Sequence, residues 1–440
     1  MGISRSLSTG SSALKANQFR MDVISNNIAN TNTIGFKGSR VSFAEQFNQI
    51  YNYGKSSDTG NATGLGGTNP MQVGLGVGVG ATTRLMSQGM IEMTSRPLDM
   101  ALQGDGFFIY NMSGRQLFSR AAAITRDKDG YLVDASSGSY LQGYNLSFDA
   151  KGKINKDSTG INVLNRKLDN LKIAPNIISE PKQTQNVSIQ GNLNSAAVAN
   201  EKRDTSVNII DSQGGSHALG LTFTKGANPN EYSASATIDG KAVAITPALI
   251  TFNSDGSLKA PLTLSVKAAD MNTQLGAGVT VFDATKDLTL KLADANNILG
   301  GLTQFSAPSD ATPIEPDGFQ SGSLNYLSVD NEGKIWGGFS NGQSEILGQV
   351  AISKFTNQDG LLNEGGNFYS VSPNSGQANI GIAGSTFPST KVAGSSLEQS
   401  NVDLTEQFTE MISTQRAFEA ASRTITVSDQ LLAETTALKR

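Results

Sequence analysis

At 440 residues the chain exceeds one ordinary domain, and two to four domains are expected. Hydrophobic residues make up 38% and charged residues 16%, Gly occurs 47 times and aromatics reach 7%, which suits strands and tight turns better than a large helical core. The net charge of -4 argues against a nucleic-acid surface, and the absence of Cys removes disulfides, thiolate metal sites and Cys nucleophiles. No run approaches the ~18 apolar residues of a membrane span.

Residues 1–10 lack an apolar h-region, so no conventional secretory signal is expected. Leu7, Leu14, Met21 and Ile28 then recur every seven residues, with Ile3, Gly10, Asn17 and Ile24 at the second heptad position. This spacing predicts an amphipathic helix with a thin coiled-coil-like stripe. It should stop around Asn30-Thr31-Asn32, before Gly35. From Thr59 to Thr83 there is no charged residue and Gly is frequent. Gly74-Leu-Gly-Val-Gly-Val-Gly80 fits neither Gly-x-Gly-x-x-Gly nor a Walker loop, so a flexible connector or a Gly-rich strand in a crowded interface is expected.

The middle of the chain carries strand signals. Asp129-Gly130, Asp239-Gly240, Asp255-Gly256, Asn341-Gly342 and Asp359-Gly360 read as hairpin turns, where positive φ favours Gly or Asn. Borders between β units are expected near Gly143–Tyr144 and Pro316–Ser321. The single histidine, His217, sits in a predicted turn without Cys partners or a Gly-x-Ser-x-Gly elbow, so neither a zinc site nor a triad is expected. Asp127-Lys-Asp129-Gly130 lacks the later Glu of an EF-hand and reads as a turn. No catalytic residue, cofactor site or metal site is predicted, and the chain is expected not to be an enzyme.

From Ser395 to Arg440 there is neither Gly nor Pro. Leu404, Phe408, Met411, Gln415, Phe418, Ser422, Ile425, Asp429 and Leu432 follow alternating steps of three and four, the spacing of a helical seam. Ser395 with Glu398 reads as a capping box opening this helix. Two thin stripes, interrupted by Gly10, Asn17, Gln415 and Asp429, bury little area. Paired only with each other they should be marginal, and terminal disorder of the isolated chain is expected.

Asp22-Val-Ile-Ser-Asn-Asn-Ile-Ala-Asn-Thr-Asn-Thr-Ile-Gly-Phe-Lys37, Gly104-Asp-Gly-Phe-Phe108, Leu141-Gln-Gly-Tyr144, Leu347-Gly-Gln-Val-Ala351, Leu397-Glu-Gln-Ser-Asn-Val-Asp-Leu404 and Met411-Ile-Ser-Thr-Gln-Arg-Ala-Phe418 occur in that order. Together they resemble the bacterial flagellar rod-hook axial family. The long stretch between Tyr144 and Ser321 favours a hook-type member over the shorter distal rod type, which remains the alternative.

The resemblance implies a multidomain α+β chain. Residues 1–35 and 396–440 would form an inner layer of coiled-coil-like helices, and 36–69 a linker. Residues 70–145 and 321–390 would form a β-rich middle domain, with 146–320 an inserted outer β domain. The implied function is structural, a self-assembling subunit of a curved tube that transmits torque. Its subunit interface would include Leu7, Leu14, Met21, Ile24, Ile28, Leu404, Phe408, Met411, Phe418, Ile425 and Leu432. Partners would be further copies of the chain, the distal rod protein, the hook cap, the hook-filament junction proteins and the flagellar type III export apparatus. No nucleic acid, membrane insertion or cofactor is implied. The place would be the flagellum outside the cell envelope, reached without a cleaved signal peptide.

Overall fold

A computed structural model describes residues 2–56, 66–149, 153–157, 160–276, 280–294, 297, 300–314 and 316–437, the first three of them as backbone only. The described chain is mostly β with three helices. It forms two compact units, one of Met1–Pro175, Leu327–Trp336 and Ile346–Arg440, the other of Asn176–Tyr326 and Gly337–Glu345.

The first unit begins with α1 (Gly2–Ala29), which stops just before Asn30-Thr31-Asn32. Asn and Thr compete for backbone bonds and favour helix ends, and Gly35 at φ +68° turns the chain. A ribbon follows. Strand β1 (Ser39–Glu45) will pair with β4, β2 (Asn48–Asn52) with β3, where β3 is Met71–Gly74 and β4 is Val77–Arg84, and both pairings are antiparallel. The Gly-rich stretch therefore supplies strands from Met71 on, broken at 75–76, and its part at 59–65 lies outside the described residues. The proposed linker 36–69 and the start of the proposed middle domain supply opposite arms of this one ribbon.

The body of the unit is an antiparallel sheet in which Phe107–Met112 pairs with Arg115–Ser119 and with Tyr140–Asn145. Phe107, Phe118, Phe355 and Tyr369 are buried together, Phe118 meeting Phe355 edge-on at 4.8 Å between centroids. The unit extends past the 145/146 border expected from sequence. Leu171 and Ile173, past that border, bond back onto the sheet: Leu171 N donates to Leu141 O (2.8 Å) and Ile173 N to Gly130 O (2.7 Å).

In the second unit two sheets share one core that includes Val187, Leu219, Phe223, Ile238, Leu264 and Leu290. One is an antiparallel meander of Lys202–Ile210, Ser216–Lys225, Glu231–Ile238, Leu249–Phe252 and Leu258–Ala260. Strand Ser216–Lys225 buries Leu219, Leu221, Phe223 and Lys225, the period of two expected of a sheet with one covered face. The other sheet is mixed, with Asn186–Asn192 parallel to Leu288–Lys291. Helix α2 (Ala268–Leu275) has no counterpart in the sequence reading. Tertiary bonds hold this short helix: Asn272 Nδ2 donates to Phe282 O (2.7 Å), and Phe282 N donates back to Asn272 Oδ1 (2.9 Å).

Four of the five expected turns join neighbouring strands, at 129–130, 239–240, 255–256 and 341–342. Asp359-Gly360 does not. The strand before it, Ile352–Lys354, pairs with Asn379–Gly381, and the strand after it, Leu362–Gly365, pairs with Phe368–Ser370. A Cβ on Gly360 would lie 2.9 Å from the backbone of Asn374 and Ser375, so its smallness serves close packing instead of positive φ.

Candidate assembly interface: the helix pair and its root

Helix α3 (Leu404–Ala437) runs antiparallel to α1. Ser6 meets Ser428 (3.0 Å), Arg20 meets Glu410 (3.1 Å) and Asn27 Nδ2 donates to Gln407 Oε1 (2.9 Å). On α3 the buried residues are Gln407, Thr414, Ala421 and Ser428, one per heptad. On α1, Gly10, Ala16, Ile24 and Asn27 are buried. Small side chains thus bring the backbones together. A Cβ on Gly10 would stand 2.8 Å from Ile425 Cγ1, so this apparent break in the stripe is a point of closest approach.

Leu7, Leu14, Met21, Ile28, Met411, Phe418, Ile425 and Leu432 lie half-buried along the same seam, and Ile24 is buried. Leu404 and Phe408 point away from it and are 41% and 50% exposed. The residues that continue Phe408 at heptad spacing, Gln415, Ser422 and Asp429, are exposed too. The buried row runs one residue earlier, through small and polar side chains that hydrophobic periodicity does not reveal. Ile412, Val427 and Leu431 add to the outward apolar surface of α3. The ribbon does the same with Phe47 (86% exposed), Tyr53 and Met71.

The expected capping box does not open α3. Ser395 sits at φ +51°, and Ser396–Glu398 is a strand paired with Ile91–Met93. Asp403 caps the helix instead, its Oδ1 accepting from Thr405 N at 2.7 Å. Glu398 lies in a closed charge cluster at the root of the helix pair. Its carboxylate accepts from Lys37 Nζ (2.6 Å), Gly89 N (2.8 Å) and Arg120 Nε (2.9 Å). Lys37 Nζ also donates to Ser87 O (2.6 Å). Arg120 Nη1 reaches Gly104 O and Gly106 O, both at 2.8 Å, where these glycines at φ +94° and +142° turn their carbonyls toward it. Burial alone would raise the Glu398 pKa, but Arg120 and Lys37 outweigh it and hold the carboxyl below its ordinary value. Burial lowers the Lys37 pKa, with Glu398 opposing.

Two asparagines complete the root. Asn27 Nδ2 donates to Ser39 O (2.8 Å) and its Oδ1 accepts from Ser39 N (3.0 Å), so one side chain stands in for a missing strand. Asn401 accepts from Gly38 N (2.9 Å) and donates to Leu85 O (2.6 Å). The ends of both helices and the base of the ribbon are thereby fixed to one another.

Away from the root, His217 Nδ1 lies 2.8 Å from Asp239 Oδ2 and Nε2 lies 3.3 Å from Asp211 Oδ2. The bond with His217 holds the Asp239 carboxyl below its usual value. Asp127 Oδ1 accepts from Asp129 N and Tyr131 N, which closes the predicted turn.

Sequence profiles match three stretches: "Flagella basal body rod protein" at 7–37, "Flagellar basal body protein FlaE D2 domain" at 190–319, and "Flagellar basal body rod FlgEFG protein C-terminal" at 393–438. The flagellar hook protein FlgE of Borreliella burgdorferi is 34% identical over 463 aligned residues, covering 99% of either chain. The chain belongs to the flagellar hook protein family. The hook protein of Treponema pallidum is 33% identical over 99% of this chain and 100% of its own length, and that of Escherichia coli 30% over 96% of each. The crystal structure of Helicobacter pylori flagellar hook protein FlgE2 aligns at 16% identity with a TM-score of 0.47, covering 70% of this chain and 100% of that one. In this hook-family chain the two terminal profile matches meet at the root, since the first ends at Lys37 and the second contains Glu398.

Proposed function

We propose that this chain is the repeating subunit of a flagellar hook, a curved flexible tube that passes torque from the rod to the filament, and that it works by polymerising and not by catalysis. Full-length similarity to proteins named for the hook favours this over the distal rod alternative. The observation that carries the mechanism is the placement of apolar side chains. The seam between α1 and α3 closes on small residues, while Leu404, Phe408, Ile412, Val427 and Leu431 face outward. An apolar helix face left open in one chain gains burial against further copies.

In this reading residues 1–35 and 396–440 form an inner layer that packs as coiled-coil-like helices around the axis. Leu7, Leu14, Met21, Ile24, Ile28, Met411, Phe418, Ile425 and Leu432 contribute to its packing, and Leu404 and Phe408 meet neighbouring copies. Residues 36–69 lead to a middle layer of 70–145 and 321–390, which also holds the segment around Leu171 and Ile173, and the remainder of 146–320 forms the outer domain. The distal rod protein, the hook cap and the hook-filament junction proteins adjoin the tube at its ends. The subunit leaves the cell through the flagellar type III export apparatus without a cleaved signal peptide.

Negative-stain electron microscopy of the concentrated, purified chain tests this. Curved tubes are expected. Straight rigid tubes would transfer the reading to the distal rod, and no polymer under any salt or precipitant condition would overturn self-assembly.

A further inference from the structure

A groove of about 860 Å³ runs along α1, walled by Leu7, Lys15, Phe19, Val77, Val79 and Ile425 from that helix, the ribbon and α3. The ribbon is set against the helix by its own sequence. Val77 N donates to Ser12 Oγ at 3.3 Å, and a Cβ on Gly76, at φ +131°, would stand 2.4 Å from that same oxygen. Phe19 and Val79 remain 41% exposed each, so apolar wall is left open. No acid lines the groove, and among the described residues its one lining charge, the Lys15 ammonium, has no ion-pair partner.

An apolar helix face that carries a carboxylate suits such a groove. Helix α3 has one. Leu404, Phe408, Ile412 and Glu419 lie within about 80° of one another around the helix at 3.6 residues per turn. All four are exposed, and none lines the chain's own groove. Among the described residues Glu419 is paired only with Arg416, at 3.4 Å, in an exposed contact worth little, so it can exchange partners. The lengths agree, since 408–419 spans about 16 Å of helix and 7–19 about 18 Å. So do the charges. Helix α1 has Arg5, Lys15 and Arg20 against Asp22, whereas α3 has Glu406, Glu410, Glu419, Asp429 and Glu434 against Arg416 and Arg423.

We propose that this groove receives α3 of a second copy, Phe408 and Ile412 entering between its apolar walls while Glu419 pairs with Lys15. This contact rests on the hook reading and specifies how two of its copies join. The entering face and the receiving groove are different surfaces, so each copy gives one and takes one. Covering Phe19, Val79, Phe408 and Ile412 together removes apolar area that a lone chain leaves wet.

The chain contains no Cys, so introduced thiols report single contacts. Tubes grown from an equal mixture of Val77→Cys and Ile412→Cys chains should yield a covalent dimer on oxidation that neither variant yields alone. Tubes without that dimer, or a dimer formed instead between Val77→Cys and Phe47→Cys chains, would overturn the contact and leave the hook reading standing. Absence of tubes from the parent chain would remove the hook reading and the contact with it. Lys15→Glu should raise the concentration needed for tube growth roughly tenfold through like-charge repulsion, and adding Glu419→Lys should restore it. Both side chains are exposed, so melting of the monomer should not move. Unchanged growth of Lys15→Glu, or no recovery in the double variant, would overturn the pairing.

Discussion

Replacing Glu398 by Gln preserves shape and removes the one negative charge shared by Lys37 Nζ at 2.6 Å and Arg120 Nε at 2.9 Å. The Lys37 and Glu398 side chains are both 0% exposed, so solvent screens little of the loss. Removing one partner of a buried ion pair costs about 3–5 kcal/mol, because the remaining charge stays buried. Here two cations lose their common partner, and the amide NH₂ of Gln would face donors. Urea unfolding followed by Trp336 fluorescence is the assay, since the sole Trp lies in the same unit and donates to Asp330 Oδ2 at 2.9 Å. With a slope of about 3 kcal/mol per molar urea, the midpoint should fall by roughly 1–1.7 M. Lys37→Met added to Glu398→Gln should recover part of the loss by removing one stranded cation. The pH dependence has a definite sign. A carboxyl held below its ordinary pKa contributes stability that is complete above that ordinary value and lost as pH falls through the folded value. The gap between parent and Glu398→Gln should therefore narrow below pH 4.5, the ordinary value for Glu. A midpoint loss worth less than about 1 kcal/mol, or a gap indifferent to pH, would refute an ionised cluster at the root.

Gly10→Leu should force the helices apart at Ile425, at a cost of about 1–3 kcal/mol in overpacking. Brief proteolysis should then trim both chain ends faster while the β body persists, and an unchanged trimming rate would count against the close approach. Phe408→Asp alters a side chain that is 50% exposed, so the melting behaviour of the monomer should move by no more than about 0.5 kcal/mol. Tubes should nonetheless fail to form, and normal polymers seen by electron microscopy would remove Phe408 from the interface. Deleting 404–440 and deleting 397–440 should both abolish assembly. Only the longer deletion should also lower the Trp336 unfolding midpoint, because it takes Glu398 from Lys37 and Arg120; equal midpoints would show that the cluster does not hold the body together.

Much of this architecture was legible because it rests on local chemistry. The first helix ends at its Asn-rich run, and four Asp-Gly or Asn-Gly pairs close hairpins, since φ preference acts on a residue and its neighbour alone. The root was not legible in the same way. Lys37, Arg120 and Glu398 lie far apart in sequence, and no periodicity links them. Glu398 even satisfies the spacing of a capping box, yet pairing of Ser396–Glu398 with Ile91–Met93 overrides that local signal. A hint did exist in Asn26, Asn27, Asn30 and Asn32, too many poor helix formers to be helix filling. Their density marks a place where side chains bond the backbone, as Asn27 does with Ser39. The exact seam was hidden for a different reason. Hydropathy finds Phe408 and misses Thr414, Ala421 and Ser428, because closeness between helices is set by small residues as much as by apolar ones.

That inversion explains why the same two helices can serve both folding and assembly. In a self-contained helix pair the largest apolar side chains face inward and the seam supplies most of the stability. Here Gly10, Ala16, Thr414, Ala421 and Ser428 occupy the inside, where they bury little area, and the pair depends on its root and on polar links such as Asn27–Gln407 for register. The apolar surface withheld from the seam sits outside on Leu404, Phe408, Ile412, Val427 and Leu431, and on the ribbon at Phe47, Tyr53 and Met71. Such surface stabilises nothing in a lone chain and gains its full value only when another copy covers it. The helix face and the ribbon are different surfaces. If, in the proposed tube, the helix face of one copy met the ribbon of the next, copies would join head to tail, and such a contact repeated without closing would give a helical tube and not a dimer.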